Sequence, residues 1–198
     1  MKKMRRMIDI GIIAVLVVAA IVLLTASLGS RKPNDLSIPV ESFEFINQES
    51  QPFGLADLED KVWVAHFMFT NCSTVCPTLT ANMAKLQREL QAAGLQAELV
   101  SFTVDPEKDT PEALKKYIGK FTDDFDNWHA LTGYSFEEMQ AFGQQSFKSA
   151  IQKDAIGDQV IHGISFYLVD RSGTIVTRYD GQEPPYSKII KDIKALSR

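Results

Sequence analysis

The chain has 198 residues, with 21 Lys/Arg against 25 Asp/Glu and two cysteines. Setting aside residues 1–30, which carry four basic side chains and one acidic one, leaves 17 basic and 24 acidic groups, a net charge of −7. That balance excludes charge-driven binding to nucleic acid or to an anionic membrane surface, and the remaining length of about 168 residues can build its own core without disulfide staples.

The first thirty residues open on the basic "MKKMRRM" and then run apolar and uncharged over residues 10–24, or 10–28 if Thr25 and Ser27 are admitted. At 1.5 Å of helical rise per residue the longer run reaches about 28 Å, close to the roughly 30 Å of bilayer hydrocarbon. The expectation is an N-terminal transmembrane helix, with Lys2, Lys3, Arg5 and Arg6 held in the cytoplasm and the rest of the chain exported. A secretory signal peptide cleaved near "TASLGS" is the competing reading. No cysteine suited to lipidation follows the run, and no Arg- and Ser-rich transit segment precedes it. This predicts a single-pass protein of a bacterial plasma membrane, in contact with lipid through its anchor, with its soluble domain on the extracytoplasmic side.

Residues 31–39, "RKPNDLSIP", are polar with two prolines and read as a linker, which leaves 40–198 as one domain. Two short extended pieces are expected in "ESFEFIN" and "QPFGL", with a turn at 48–50. Residues 61–69, "KVWVAHFMF", are apolar almost throughout and rich in β-branched and aromatic side chains, the pattern of a strand covered on both faces. Leu79, Met83, Leu86 and Leu90 then recur at helical spacing up to Gly94. A second strand follows in "QAELVSFTV".

Thr110 and Pro111 suit an N-cap and first helical position, ahead of a buried face of Leu114, Tyr117, Ile118 and Phe121. A short strand in "NWHAL" precedes Ser135 and Glu138, a capping box for a helix carrying Phe136, Met139 and Phe142. "ISFYLVD", "RSG" and "TIVTRYD" predict an antiparallel hairpin, and Ile189, Ile190, Ile193 and Leu196 a closing amphipathic helix. Strands that alternate with helices and end in a hairpin and helix make a thioredoxin-like α/β fold, a mixed sheet flanked by helices on both faces.

Both cysteines, Cys72 and Cys76, fall in "FTNCSTVCPTLT", where the first long strand gives way to its helix. Open α/β sheets place their chemistry at that end. With Pro77 at the first helical position, Cys76 becomes the N-cap or its neighbour, and free backbone N–H groups are expected to aim at its sulfur and favour thiolate. Thiol–disulfide exchange by the Cys72–Cys76 pair is one reading, although the usual redox motif has two intervening residues and this one has three. A peroxide-reducing thiol would ask for a proline and a threonine where Ala65 and Phe69 stand. An inert structural disulfide is a further reading, and metal binding another, which needs one more ligand.

Three histidines are available. His66 and His129 fall within strands, where a satisfied core histidine is the ordinary outcome. His162, in "QVIHGISFYLVD", stands in a loop before the late hairpin, and on a thioredoxin-like fold that loop lies across from the cysteine loop.

Taken together, "FMFTNCSTVCPTLTANMAKLQREL", "SFTVDPEKDTPEALKKY", "LTGYSFEEMQAF" and "QVIHGISFYLVDRSGTIVTRYDG" resemble the Sco (SenC) family, membrane-anchored thioredoxin-like proteins that mature cytochrome c oxidase. The resemblance covers residues from about 40 to the C-terminus. It implies a copper site of two motif cysteines, matching Cys72 and Cys76, and a distal histidine, matching His162. Many members carry Pro-Asp between the cysteines, where this chain has Ser73 and Thr74, so a role for that acid does not carry over.

Donor chemistry agrees, because two thiolates and an imidazole suit Cu(I) and, with an added oxygen, Cu(II), whereas zinc would ask for a fourth group. Closing the thiols to a disulfide would expel the metal, which links copper affinity to redox state. Asp105 and Pro106, ending the neighbouring strand, are read as rim or as turn. The implied function is assembly of the Cu-A centre of cytochrome c oxidase, by copper delivery or by reduction of the target cysteines. Its partners would be the oxidase subunit carrying that centre and other copper chaperones or thiol reductants. A general thiol–disulfide oxidoreductase without a metal is the alternative.

Overall fold

The computed structural model describes residues 36–154 and 159–198. The anchor expected at residues 10–28 lies outside them, and no helix among the described residues is long and apolar enough to cross a membrane. Ten strands and four α-helices are described: β1 (Ile38–Pro39), β2 (Glu44–Asn47), β3 (Pro52–Gly54), β4 (Trp63–Met68), α1 (Cys76–Ala92), β5 (Glu98–Thr103), α2 (Pro111–Ile118), β6 (Trp128–Thr132), α3 (Phe136–Phe147), β7 (Gln152–Lys153), β8 (Val160–Ile161), β9 (Ser165–Val169), β10 (Thr174–Asp180) and α4 (Tyr186–Leu196). Eight of the strands form one mixed sheet in the order β1-β10-β9-β4-β5-β6-β2-β3, and β7 pairs with β8 apart from it. At the sheet's centre β4, β5 and β6 run parallel, with β9 antiparallel to β4. This is the mixed sheet with flanking helices that the alternating pattern predicts.

The two-residue period of a strand explains why β4 is apolar throughout. Trp63, Ala65, Phe67 and Phe69 face a core completed by Phe43, Phe102, Met139, Phe142 and Phe147, the last three carried by or ending α3. Val64 and Met68 face the opposite core, filled by Met83, Leu86 and Leu90 of α1, Leu114 and Ile118 of α2, and Ile189 and Ile193 of α4. Burying both faces holds the centre of the sheet rigid, so the loops at the carboxyl ends of β4 and β5 leave from fixed points.

Caps follow the sequence closely. Thr110 accepts a hydrogen bond from the Ala113 N–H at 3.3 Å, and Ser135 and Glu138 close a full capping box on α3. Gly94, at φ +63°, takes the left-handed turn just beyond α1.

Residues 36–39 depart from the linker reading of 31–39. The Leu36 N–H donates to the Val176 carbonyl, and Ile38 and Pro39 pair with Ile175 and Thr174 as an edge strand. Leu36 and Ile38, two positions apart, pack on the core, and Pro39 sits at a sheet edge, where a missing N–H costs least.

Candidate metal centre

The loop between β4 and α1 carries both cysteines. It begins in a turn, with the Cys72 N–H donating to the Phe69 carbonyl at 3.4 Å, and ends where α1 starts at Cys76. The helix therefore begins one residue before Pro77, which takes the second position. That shift reassigns the helix's first free N–H: the Cys76 N–H donates to the Cys72 sulfur at 3.3 Å. Cys72, and not Cys76 as the sequence suggests, receives the stabilisation of the helix start.

The two thiols consequently differ. Burial by itself would raise Cys72, but hydrogen bonds from the Cys76 and Thr74 groups outweigh it and hold the thiol below its ordinary value; Thr74 Oγ1 lies 3.7 Å from its sulfur. Cys76 has no exposed surface, and burial, with the neighbouring Cys72 sulfur, pushes its thiol well up. Both cysteines are free thiols.

His162 approaches from the other side, directly after β8. Its Nδ1 lies 2.8 Å from the Gly163 carbonyl, which can only accept, so Nδ1 carries the proton and Nε2 presents a lone pair. That Nε2 sits 3.5 Å from the Cys76 sulfur. Burial lowers the affinity of His162 for a second proton, partly offset by the Gly163 carbonyl, so the ring stays a neutral donor. Phe69 packs edge-on against it at 5.9 Å between centroids.

Gly163 matters for its missing side chain. A Cβ there would stand 2.6 Å from Ser149 Oγ and 3.2 Å from the Tyr167 hydroxyl. Both neighbours are side-chain tips, so an alanine there asks Ser149 Oγ to turn away, while a larger residue presses on the Tyr167 hydroxyl as well.

Cys72 and His162 line a cleft of about 280 Å³ with Phe69, Thr74, Val75, Gln159 and Ile161, and Cys76 lies buried against both of them. Among the described residues, no group of three His, Cys, Asp or Glu side chains is already arranged to hold a metal ion. Cys76 and His162 face one another, while the Cys72 sulfur is turned to the helix N-terminus.

The sequence profile of the SCO1/SenC family matches residues 31–198. This chain belongs to that family. It is similar to the SCO1 protein homolog of Bacillus subtilis, at 44% identity over 170 residues, which is 85% of this chain and 88% of the relative. Among solved structures, a SCO1/SenC family lipoprotein of Bacillus anthracis is 50% identical with a TM-score of 0.81, the match covering 84% of this chain and 99% of that one. BsSco is described as carrying a disulfide switch and as a member of the Sco family of cytochrome c oxidase assembly proteins. It is 45% identical with a TM-score of 0.77, covering 83% and 96%. ScoI of Bradyrhizobium japonicum, solved with copper bound, shares the thioredoxin-like fold at 24% identity and a TM-score of 0.68, covering 81% and 99%.

Neither of the other two histidines of this Sco protein joins the thiols. His66 is buried in β4, its Nε2 2.7 Å from Ser101 Oγ, which also accepts from the Trp128 indole N–H at 2.8 Å; Nδ1 has no partner. Burial, with a smaller contribution from His162, lowers its pKa to about 3. His129 Nε2 lies 3.0 Å from Glu98 at the start of β5, at the strand ends opposite the cysteines, with its ring stacked on Phe53. Asp105 takes the turn role, its carbonyl accepting from the Lys108 and Asp109 N–H groups.

Sequence reasoning missed Asp109. It is completely buried behind the cysteine loop, and it accepts hydrogen bonds from the Thr70 N–H and from the Thr70 and Thr103 hydroxyls. Burial raises its pKa against the lowering effect of those three donors. The available signal was its place in "DPEKDTP": an acid directly before an N-cap threonine, one short turn after a strand that leads to the cysteine side.

Proposed function

We propose that this Sco protein is a membrane-anchored, extracytoplasmic copper carrier for assembly of the Cu-A centre of cytochrome c oxidase, with Cys72, Cys76 and His162 as the copper ligands. The observation that carries this reading is the fixed tautomer of His162. Its Nδ1–H is spent on the Gly163 carbonyl, and the Nε2 lone pair is turned to the Cys76 sulfur, whose thiol proton it accepts until a metal replaces that proton. Disulfide exchange needs no imidazole in that orientation, whereas a metal site does.

Copper is the cargo, and two thiolates with an imidazole form a soft donor set that suits Cu(I). Cys72 would complete the set by giving up its hydrogen bond with the Cys76 N–H. Binding displaces the thiol protons, including the one that burial holds on Cys76, so loading is tied to proton release. The relatives support the wider role: BsSco is named for cytochrome c oxidase assembly and ScoI is solved with copper. Export by the apolar segment at residues 10–28 would place the domain where the oxidase subunit presents its copper site.

A second activity is favoured by the thiol asymmetry. Cys72, at 7% exposure and held below the ordinary thiol value, is the sulfur that can attack a disulfide, and buried Cys76 the one that resolves it. On this reading the protein reduces the target cysteines before copper enters.

The test is Cu(I) competition against a chelator with the reduced full-length chain, repeated after oxidation of Cys72 and Cys76 to a disulfide. Reduced protein should bind and oxidised protein should bind far more weakly. Equal affinity in both states would remove the sulfurs from the site.

A further inference from the structure

The geometry points to Asp109 as a positioning residue for the dithiol loop, holding the turn that delivers Cys72; this rests on the dithiol reading above. Thr70 is the first corner of that turn, between Phe69, whose carbonyl accepts from the Cys72 N–H, and Asn71. Both donors of Thr70, its N–H and its hydroxyl, end on the Asp109 carboxylate, the N–H lying 3.1 and 3.3 Å from the two oxygens. On its far side the carboxylate is held by the Thr103 hydroxyl at the end of β5. The Asp109 N–H donates to the Asp105 carbonyl, and the next residue caps α2. Asp109 is thus held through its own backbone between the Asp105 turn and the α2 cap, with the Thr103 hydroxyl as an additional contact, and its carboxylate reaches out to the loop. A further tie on this turn comes from the exposed side, where Gln159 Nε2 lies 3.4 Å from the Asn71 carbonyl.

A buried carboxylate is costly, and among the described residues three hydrogen-bond donors compensate this one. An ordinary stabilising role would place those donors on the framework. Two of the three instead belong to a single loop residue, two positions before a cysteine. The Thr70 N–H lies within reach of both carboxylate oxygens and cannot become an acceptor, so an amide in place of the carboxylate sets an N–H against it on one side and weakens the hold on the turn.

Three variants of the full-length chain separate positioning from stability. Asp109→Asn keeps the side chain's shape, Thr70→Val removes the hydroxyl tie to the loop, and Thr103→Val removes the tie to the sheet alone. Each is measured for Cu(I) affinity per folded molecule and for its dithiol–disulfide equilibrium against glutathione, which needs no metal. Asp109→Asn should weaken Cu(I) binding by about tenfold or more, and both it and Thr70→Val should shift the glutathione equilibrium by about threefold or more. Thr103→Val should lower stability and leave both readings at wild-type values. The proposal is overturned if Asp109→Asn loses stability only, or if Thr103→Val shifts the equilibrium as far as Thr70→Val does. Should Asp109→Asn fail to fold, Thr70→Val decides alone, and an unchanged glutathione equilibrium overturns the proposal. A wild-type chain that binds no copper would sink the carrier reading, with the glutathione equilibrium still judging Asp109.

Discussion

His162 and His66 are the same side chain in two settings that lie within electrostatic reach of one another. His66 stands inside a strand, with Nε2 tied to Ser101 and Nδ1 without a partner, and burial holds it neutral down to a pH of about 3. His162 stands at the mouth of a loop, where a backbone carbonyl fixes the proton on Nδ1 and leaves Nε2 facing a sulfur. Burial keeps both rings neutral. What separates a ligand from a core residue is which nitrogen the surroundings leave free, and toward what.

The largest test of that contrast is acid. The folded pKa of His66 is about 3 against an ordinary 6.5, so as pH falls the unfolded chain takes up the proton first. Its contribution to stability is full above pH 6.5, declines toward pH 3 and levels off below. The decline is about 1.4 kcal/mol per pH unit and at most about 5 kcal/mol in all. Denaturant unfolding between pH 7 and 4 should therefore show a steeper fall in the wild type than in His66→Phe. Parallel curves would mean that His66 is protonated in the folded state.

Next in size is His66→Ala at neutral pH, which empties a buried site beside Phe166 and should cost about 3 kcal/mol while leaving copper affinity per folded molecule unchanged. His162→Ala should do the reverse. Its stability should stay within about 1 kcal/mol of the wild type, while copper affinity drops by at least about tenfold and disulfide formation persists. If chelator competition gave the opposite pattern, His66 would replace His162 as the third ligand. The smallest effect belongs to the third histidine: Glu98→Gln loosens a partly exposed pair with His129 and should cost under about 1 kcal/mol, with no change in copper binding.

Much of this arrangement is legible in the sequence because long elements repeat. The helical spacing of Leu79, Met83, Leu86 and Leu90 and the capping box at Ser135 locate their helices, and the apolar run at Trp63–Met68 locates the central strand. Short elements have no period to read. Ile38–Pro39, Gln152–Lys153 and Val160–Ile161 are two-residue strands defined by partners elsewhere in the chain.

The cysteines are visible as a spaced pair, and His162 by its place before the hairpin. The direction of the helix N–H is not legible because proline is tolerated throughout the first helical turn, and a one-residue difference in the helix start makes Cys72, in place of Cys76, the sulfur that accepts. Asp109 escaped notice because its three donors come from Thr70 and Thr103, which only parallel pairing of β4 with β5 brings side by side.

The crowding around Gly163 reaches beyond the loop itself. With Ser149 and Tyr167 filling the space where any larger residue would grow, the site's aim depends on a position that contributes no functional group. In a saturation library scored for copper-dependent growth, position 163 should accept alanine, for which Ser149 Oγ has only to turn, and lose function as the side chain grows, so the restriction there would be one of volume. A survey that seeks important residues by their chemistry alone would pass over it.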